Sequence, residues 1–231
     1  SVATPTLATI LDRLTLFCLT RQGLVSMNPK TGNVNFSRWF RARINESVNA
    51  ANPIVLGNQV FCSAAYYGVG SFLLDIAEDG KQFTEVWSTN ERRKKNWRLD
   101  PAVEIHWTTP ILHDGHLYAF SGRNEPDAQF RCVELKTGRV KWSRDERWRA
   151  YSSKQPNVYG RGSTIMADGK LFVLGEGGLI GLFEVNVAKP VELGRHQVPE
   201  FHYPCWAAPI LSNKRMVIRS EDYMICFDVA K

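Results

Sequence analysis

No run of eighteen apolar residues occurs anywhere in the 231-residue chain, so no segment reads as a membrane-spanning helix. Histidine is scarce, at 5 residues, and no Cys/His spacing matches a zinc site. The five cysteines, Cys18, Cys62, Cys132, Cys205 and Cys226, form no Cys-x-x-Cys pair, and their odd number argues against a full disulfide framework. Four of them lie inside short apolar runs and are expected to be buried thiols acting as small hydrophobes. A Gly-x-Ser-x-Gly elbow is missing, which leaves hydrolase chemistry without support. The stretch "GVGSFL" from Gly68 has two glycines but no helix after it, so it is no dinucleotide fingerprint. Sustained helical periodicity is absent throughout. The first segment carries no basic stretch ahead of its apolar part and does not read as a secretory signal.

Charge of either sign is also modest. Lys and Arg number 29 against 23 Asp and Glu, a net +6. The basic residues bunch in "ERRKKNWR" from Glu91 and "RDERWRA" from Arg144. Acids interleave with them and no nucleic-acid module accompanies them, so they read as solvated loops and no nucleic-acid partner is expected. An apolar fraction of 44% is enough for a real core.

What the chain does contain is a repeat. Five units begin with a small or polar residue followed by an apolar strand: "TPTLATIL" from Thr4, "NPIVLGN" from Asn52, "TPILHDG" from Thr109, "STIMADG" from Ser163 and "APILSNK" from Ala208. A tight hairpin signal and a second strand follow each start. A third strand closes on Asn28, Asp75, Glu134, Glu184 or Asp228. Their recurrence at one repeat position points to turn acceptors rather than to a metal ring. A fourth strand follows in four units, "NVNF", "TEVW", "RVKW" and "PVEL", and the fifth unit reaches Lys231 before one. Four short antiparallel strands recurring about every fifty residues predict an all-β fold, a β-propeller of about five blades whose last lacks its outer strand. The expected blades are about 4–40, 52–89, 109–145, 163–198 and 208–231, forming one domain over 1–231 or the C-terminal part of one.

The phrase "MNPKTGNVNF" from Met27 returns as "VELKTGRVKW" from Val133. Gly32 and Gly138 are expected in the turn between third and fourth strands, where φ can be positive and a ring can approach. Phe36, Trp87 and Trp142 are then expected to pack on the next blade.

The "L-K-T-G-x-V-x-W" pattern, with "HWTTPILHDGHLYAFSG" from His106 and "CWAAPILSNKRMVIRSEDYMICFDV" from Cys205, resembles the tryptophan-docking repeat of PQQ-like (quinoprotein-type) β-propellers. The resemblance extends to the C-terminal half of bacterial proteins called polyvinyl-alcohol or alcohol dehydrogenases. It implies an extracytoplasmic (periplasmic or secreted) protein and a quinoprotein-type alcohol dehydrogenase, in which PQQ would be held by Arg and Lys and Ca²⁺ by carboxylate and amide oxygens, with a non-enzymatic scaffold as the alternative. The vicinal cysteine pair of many quinoprotein alcohol dehydrogenases is missing. The same repeat also builds non-enzymatic scaffolds. Since such propellers have about seven or eight blades, the chain is expected to be the C-terminal part of a longer propeller or to be completed by another segment, a closed five-bladed ring being the alternative.

Function is expected on the long links between successive blades, which collect Trp, Tyr, Arg and His. The one mixed constellation there, Glu104 and His106 with Trp107, holds the candidate catalytic groups. Trp107, Arg149, Tyr151, Arg161, His202 and Trp206 are the candidate binding face for a protein or glycan partner. No metal ligands are assigned.

Overall fold

The computed structural model describes residues 3–90, 102–148 and 157–230. They form five antiparallel sheets in chain order. The first comprises β1 (Thr6–Ile10), β2 (Arg13–Thr20), β3 (Gly23–Met27) and β4 (Val34–Trp39). The second comprises β5 (Ile54–Leu56), β6 (Gln59–Ala64), β7 (Gly70–Ile76) and β8 (Phe83–Ser88). The third holds β9 (Ile111–His113), β10 (His116–Ser121), β11 (Gln129–Glu134) and β12 (Arg139–Asp145). In the fourth are β13 (Ser163–Ala167), β14 (Lys170–Leu174), β15 (Leu179–Glu184) and β16 (Val191–Gln197). The fifth has three strands, β17 (Ile210–Ser212), β18 (Arg215–Arg219) and β19 (Met224–Asp228). Every sheet is a meander, the blade arrangement of a β-propeller.

Local chemistry sets these meanders. The first hairpins turn through residues with positive φ, such as Asp114 (45°) with Gly115 (70°) and Asp168 (48°) with Gly169 (68°), which matches the right-handed twist of the paired strands. Between third and fourth strands, Gly32 sits at φ 74° and Gly138 at 66°. Nothing lies within 4 Å of where a Cβ on Gly32 would stand, so the backbone angle, not a close ring, requires glycine there. Most of the recurring acidic or amide residues serve these turns. Asn28 Oδ1 accepts from Lys30 N at 2.8 Å, Asp228 Oδ1 from Ala230 N at 2.9 Å, and Glu134 from the Thr137 hydroxyl.

Strand pleating sends alternate residues to opposite neighbours, so the core is four slabs between successive sheets. Phe17, Leu24, Phe36 and Phe72 fill the first slab. Phe61, Leu73, Trp87 and Leu117 fill the second; Tyr118, Phe130, Phe183 and Trp142 the third; Leu174, Phe201, Met216 and Ile218 the fourth. The Trp87 indole donates from Nε1 to Leu135 O at 2.9 Å, and Trp142 donates to Asn186 O at 2.9 Å. Trp142 meets Tyr118 and Phe130 tilted and edge-on rather than flat. The Arg38 guanidinium pairs with Glu85 and lies 3.8 Å from the Phe72 ring centroid, a polar seam between the first two sheets.

Two expectations change. In the fourth sheet Phe183 pairs with Glu192 and Leu182 with Gly194, as Val133 pairs with Val140 and Cys132 with Trp142 in the third. The counterpart of Trp142 is therefore Gly194, and the fourth strand begins at Val191, one residue beyond the "PVEL" start. The thiols also divide. Cys62, Cys132 and Cys205 are buried, Cys18 is half-buried, and Cys226 is exposed because the outer face of the last sheet has no slab against it.

Candidate functional site

In a four-stranded meander the second-to-third strand link and the link to the next sheet emerge at the same end. That end gathers the Tyr66–Gly68 and Glu125–Asp127 3-10 turns, the Gly175–Gly178 turn and the long inter-sheet links. Backbone bonds stitch them together. Gly122 N donates to Glu104 O at 2.8 Å, Glu176 N to Tyr159 O at 3.0 Å, and Cys205 N to Glu176 O at 2.9 Å.

Glu176 is the organising group. Its carboxylate is fully buried and accepts from Arg161 Nε at 3.1 Å, Arg161 Nη2 at 2.8 Å, the Arg161 backbone N at 2.7 Å and Trp206 Nε1 at 3.1 Å. The remaining Arg161 nitrogen, Nη1, donates to Arg123 O at 2.8 Å and to His106 Nδ1 at 2.6 Å. A guanidinium only donates, so Nδ1 of His106 is an acceptor and its proton sits on Nε2, which donates to the Tyr66 hydroxyl at 2.9 Å. The Arg161 plane also faces Trp107 at 4.8 Å.

The rings around this pair form a continuous path. Tyr66 meets His106 at 5.0 Å, His106 meets Trp107 at 5.0 Å, Trp107 meets Trp206 at 5.8 Å, and Trp206 meets Tyr203 at 5.9 Å. Trp206 is 47% exposed and Tyr203 41%, so one edge of the path faces solvent. A cavity of about 310 Å³ lies beside Trp107 and Trp206, floored by Thr109, Pro110, Ser163 and Thr164. Trp107 Nε1 and Thr164 Oγ1, on two of the lining residues, are buried and have no hydrogen-bond partner among the described residues. A second, polar cleft of about 480 Å³ is lined by Glu104, Arg123, Asp127, Arg131 and Arg147, with Tyr67 at its rim.

Of the sequence candidates, His106, Trp107, Arg161 and Trp206 come together around Glu176, and Glu104 lines the neighbouring cleft. His202 is exposed, and its carbonyl accepts from Cys205 Sγ at 3.1 Å. Arg149 and Tyr151 lie outside the described residues, as does the basic run 91–98. In the second basic cluster Arg144 pairs with Glu146 at 3.0 Å and with Glu192 at 2.6 Å, and Arg147 pairs with Asp145, so these charges are locally spent. Burial raises the Glu146 carboxyl above its ordinary range, partly offset by the Tyr159 N–H and Arg144. His113 and His116 flank their turn, with His116 Nδ1 2.8 Å from Asp114 O. Glu176, Tyr66 and Arg123 escaped the sequence reading.

These residues do not fit a quinone–calcium centre. Four of the five Arg161 guanidinium N–H groups are committed to Glu176, His106 and Arg123 O, so it cannot clasp a quinone carboxylate with two parallel bonds. Both His106 nitrogens are occupied, so it is not poised as a base. Among the described residues no group of three or more acidic, His or Cys side chains converges as a metal site would require.

The family model described as outer membrane protein assembly factor BamB matches residues 1–144. The crystal structure of BamB from Moraxella catarrhalis aligns with TM-score 0.60 and 13% identity, over 98% of this chain and 58% of that one. The chain thus spans 58% of that protein's length. The computationally designed Ika4 protein aligns over 81% of this chain and 95% of its own, with TM-score 0.48 and 11% identity. No curated protein matches the chain.

Proposed function

The chain belongs to the family of the outer membrane protein assembly factor BamB, and from that premise we propose that it is a non-enzymatic propeller scaffold that binds a protein partner on its aromatic loop face. The observation that carries this reading is the cavity beside Trp107 and Trp206, bordered by the solvent-facing ring path through Trp206 and Tyr203. A partner side chain entering there stacks on the indoles of Trp107 and the half-exposed Trp206. The Arg161–Glu176 pair fixes Trp206 beforehand, so little side-chain freedom is lost on binding. An extracytoplasmic location accords with the family's role in outer membrane protein assembly.

A dehydrogenase is the reading set aside, because the guanidinium and imidazole it would need are already spent within the protein. One experiment separates the two. A benzophenone amino acid replaces Tyr203, beside Trp206, and the protein is irradiated in its native cell envelope. A single discrete protein adduct is expected, and Trp107→Ala should abolish it. Absence of any adduct, or PQQ and Ca²⁺ binding with alcohol-dependent dye reduction, overturns the proposal.

A further inference from the structure

Each of the first four sheets carries one transverse row that faces the next sheet. The rows read Phe17–Ser26–Phe36, Phe61–Leu73–Trp87, Tyr118–Cys132–Trp142 and Phe172–Leu182–Gly194 across second, third and fourth strands. The second strand always supplies a ring. The fourth strand supplies one in three sheets and glycine in the fourth. In the two tryptophan cases the indole N–H reaches a carbonyl just past the third strand of the next sheet, Leu135 O or Asn186 O.

Where the fourth ring is missing, a groove remains. A cavity of about 310 Å³ lies between the fourth and fifth sheets, lined by Phe172, Ile180, Leu182, Gly194, Met216 and Phe227, with Val229 at its end. A Cβ on Gly194 would meet nothing within 4 Å, and Gly194 is not among the glycines with positive φ. The acceptor end is in place too. Val229 N donates to Lys214 O as Leu135 N donates to Gly115 O and Val185 N to Gly169 O, so the carbonyls of Val229 and Ala230 stand where Leu135 O and Asn186 O do.

We propose that this groove is a docking site for the indole of a tryptophan carried by a partner polypeptide. The occupant is argued from the molecule's own repeat. The two preceding grooves of the same construction each hold an indole, with its N–H bonded to the matching carbonyl. The proposal is independent of the loop-face reading, because the groove lies on the sheet flank.

N-acetyl-L-tryptophanamide, a single tryptophan with capped ends, is the probe. Titrated into the ¹⁵N-labelled chain, it should give saturable amide shifts at Gly194, Phe227 and Val229, while N-acetyl-L-alaninamide gives none. Gly194→Trp should fill the groove from within. It should remove the probe shifts, move the new indole's emission to the blue, and raise Tm by roughly 3 °C. Gly194→Leu, a smaller plug, should weaken probe binding severalfold should the larger variant not fold. Three outcomes overturn the proposal. The first is no saturable shift in the parent protein. The second is shifts that persist in both plugged variants. The third is a sedimenting dimer that either plug dissociates, which puts a second copy in the groove.

Discussion

Cys132 and Cys205 show at single-residue resolution what the slabs do to chemistry. Burial pushes the Cys132 thiol up to about 11, against opposing effects from Tyr118 and Lys141. Burial pushes Cys205 up to about 12, and the nearby Glu176 carboxylate adds to the rise. A thiol whose folded pKa lies above its unfolded one stabilises the fold while protonated. That contribution is fully present below the ordinary thiol value of about 8.5 and is lost as pH rises through the folded values. At pH 8 a disulfide reagent should therefore label Cys226 at once, Cys18 more slowly, and the other three only in denaturant. Between pH 9 and 12 the urea midpoint should fall. Fast labelling of Cys62, Cys132 or Cys205 at pH 8 would contradict the slab assignment. The site was partly legible at this scale. Trp107, Arg161 and Trp206 advertise themselves as rings and cations on long links. Glu176 does not, because "GEGG" reads as a turn and its partner Arg161 is brought to it only by folding. The glycines around it carry a trace of the reason. A Cβ on Gly175 would strike the Tyr159 backbone at 2.8 Å, and one on Gly178 would strike Phe201 Cβ at 2.4 Å.

At the scale of the sheet, the four-stranded period was legible for two reasons. Hairpin residues with positive φ punctuate it, and each third strand closes on a polar turn acceptor. The recurring phrase with Gly32 and Gly138 is a turn, and the aromatic after it belongs to the neighbouring slab. Its register in the fourth sheet was not legible. A β-bulge lies between the turn and the docking position in each four-stranded sheet, at Leu182/Phe183 in the fourth, and the turn there runs Glu184 to Val191 rather than Glu134 to Arg139. With no aromatic to mark the place, counting from the turn lands on Leu193, which is 50% exposed. The indoles that do dock should behave as keystones. Trp87 is 8% exposed, packs against Phe61 at 6.1 Å and bonds Leu135 O. Trp87→Ala should cost about 3–5 kcal/mol in urea unfolding. Trp87→Phe should cost less, losing chiefly the indole hydrogen bond, roughly 1 kcal/mol. Equal losses for the two variants would mean that ring packing contributes nothing.

At the scale of the whole molecule, five sheets have four slabs between them. Among the described residues no slab joins the first sheet to the fifth. Both end faces are therefore open. On the first sheet the row Leu7–Leu16–Met27–Val34 faces outward, with Leu7 56% and Val34 59% exposed. On the fifth, Ile210 is 64% and Met224 71% exposed beside Cys226. Interior strands of a propeller do not normally present such faces to water, and contiguous apolar patches of this kind mark contact surfaces. We propose that further polypeptide covers both faces in the assembled protein. The 231-residue chain alone should then associate, because two exposed apolar faces permit head-to-tail contacts that do not close. Its weight-average mass in sedimentation should rise with concentration, and it should bind a hydrophobic dye. Leu7→Glu combined with Met224→Glu, one charge on each open face, should return it to monomer with little loss of stability, since neither side chain lies in a slab. A parent chain that stays monomeric and dye-silent across the whole concentration range would mean that the first and fifth sheets seal against each other, and the ring closes at five.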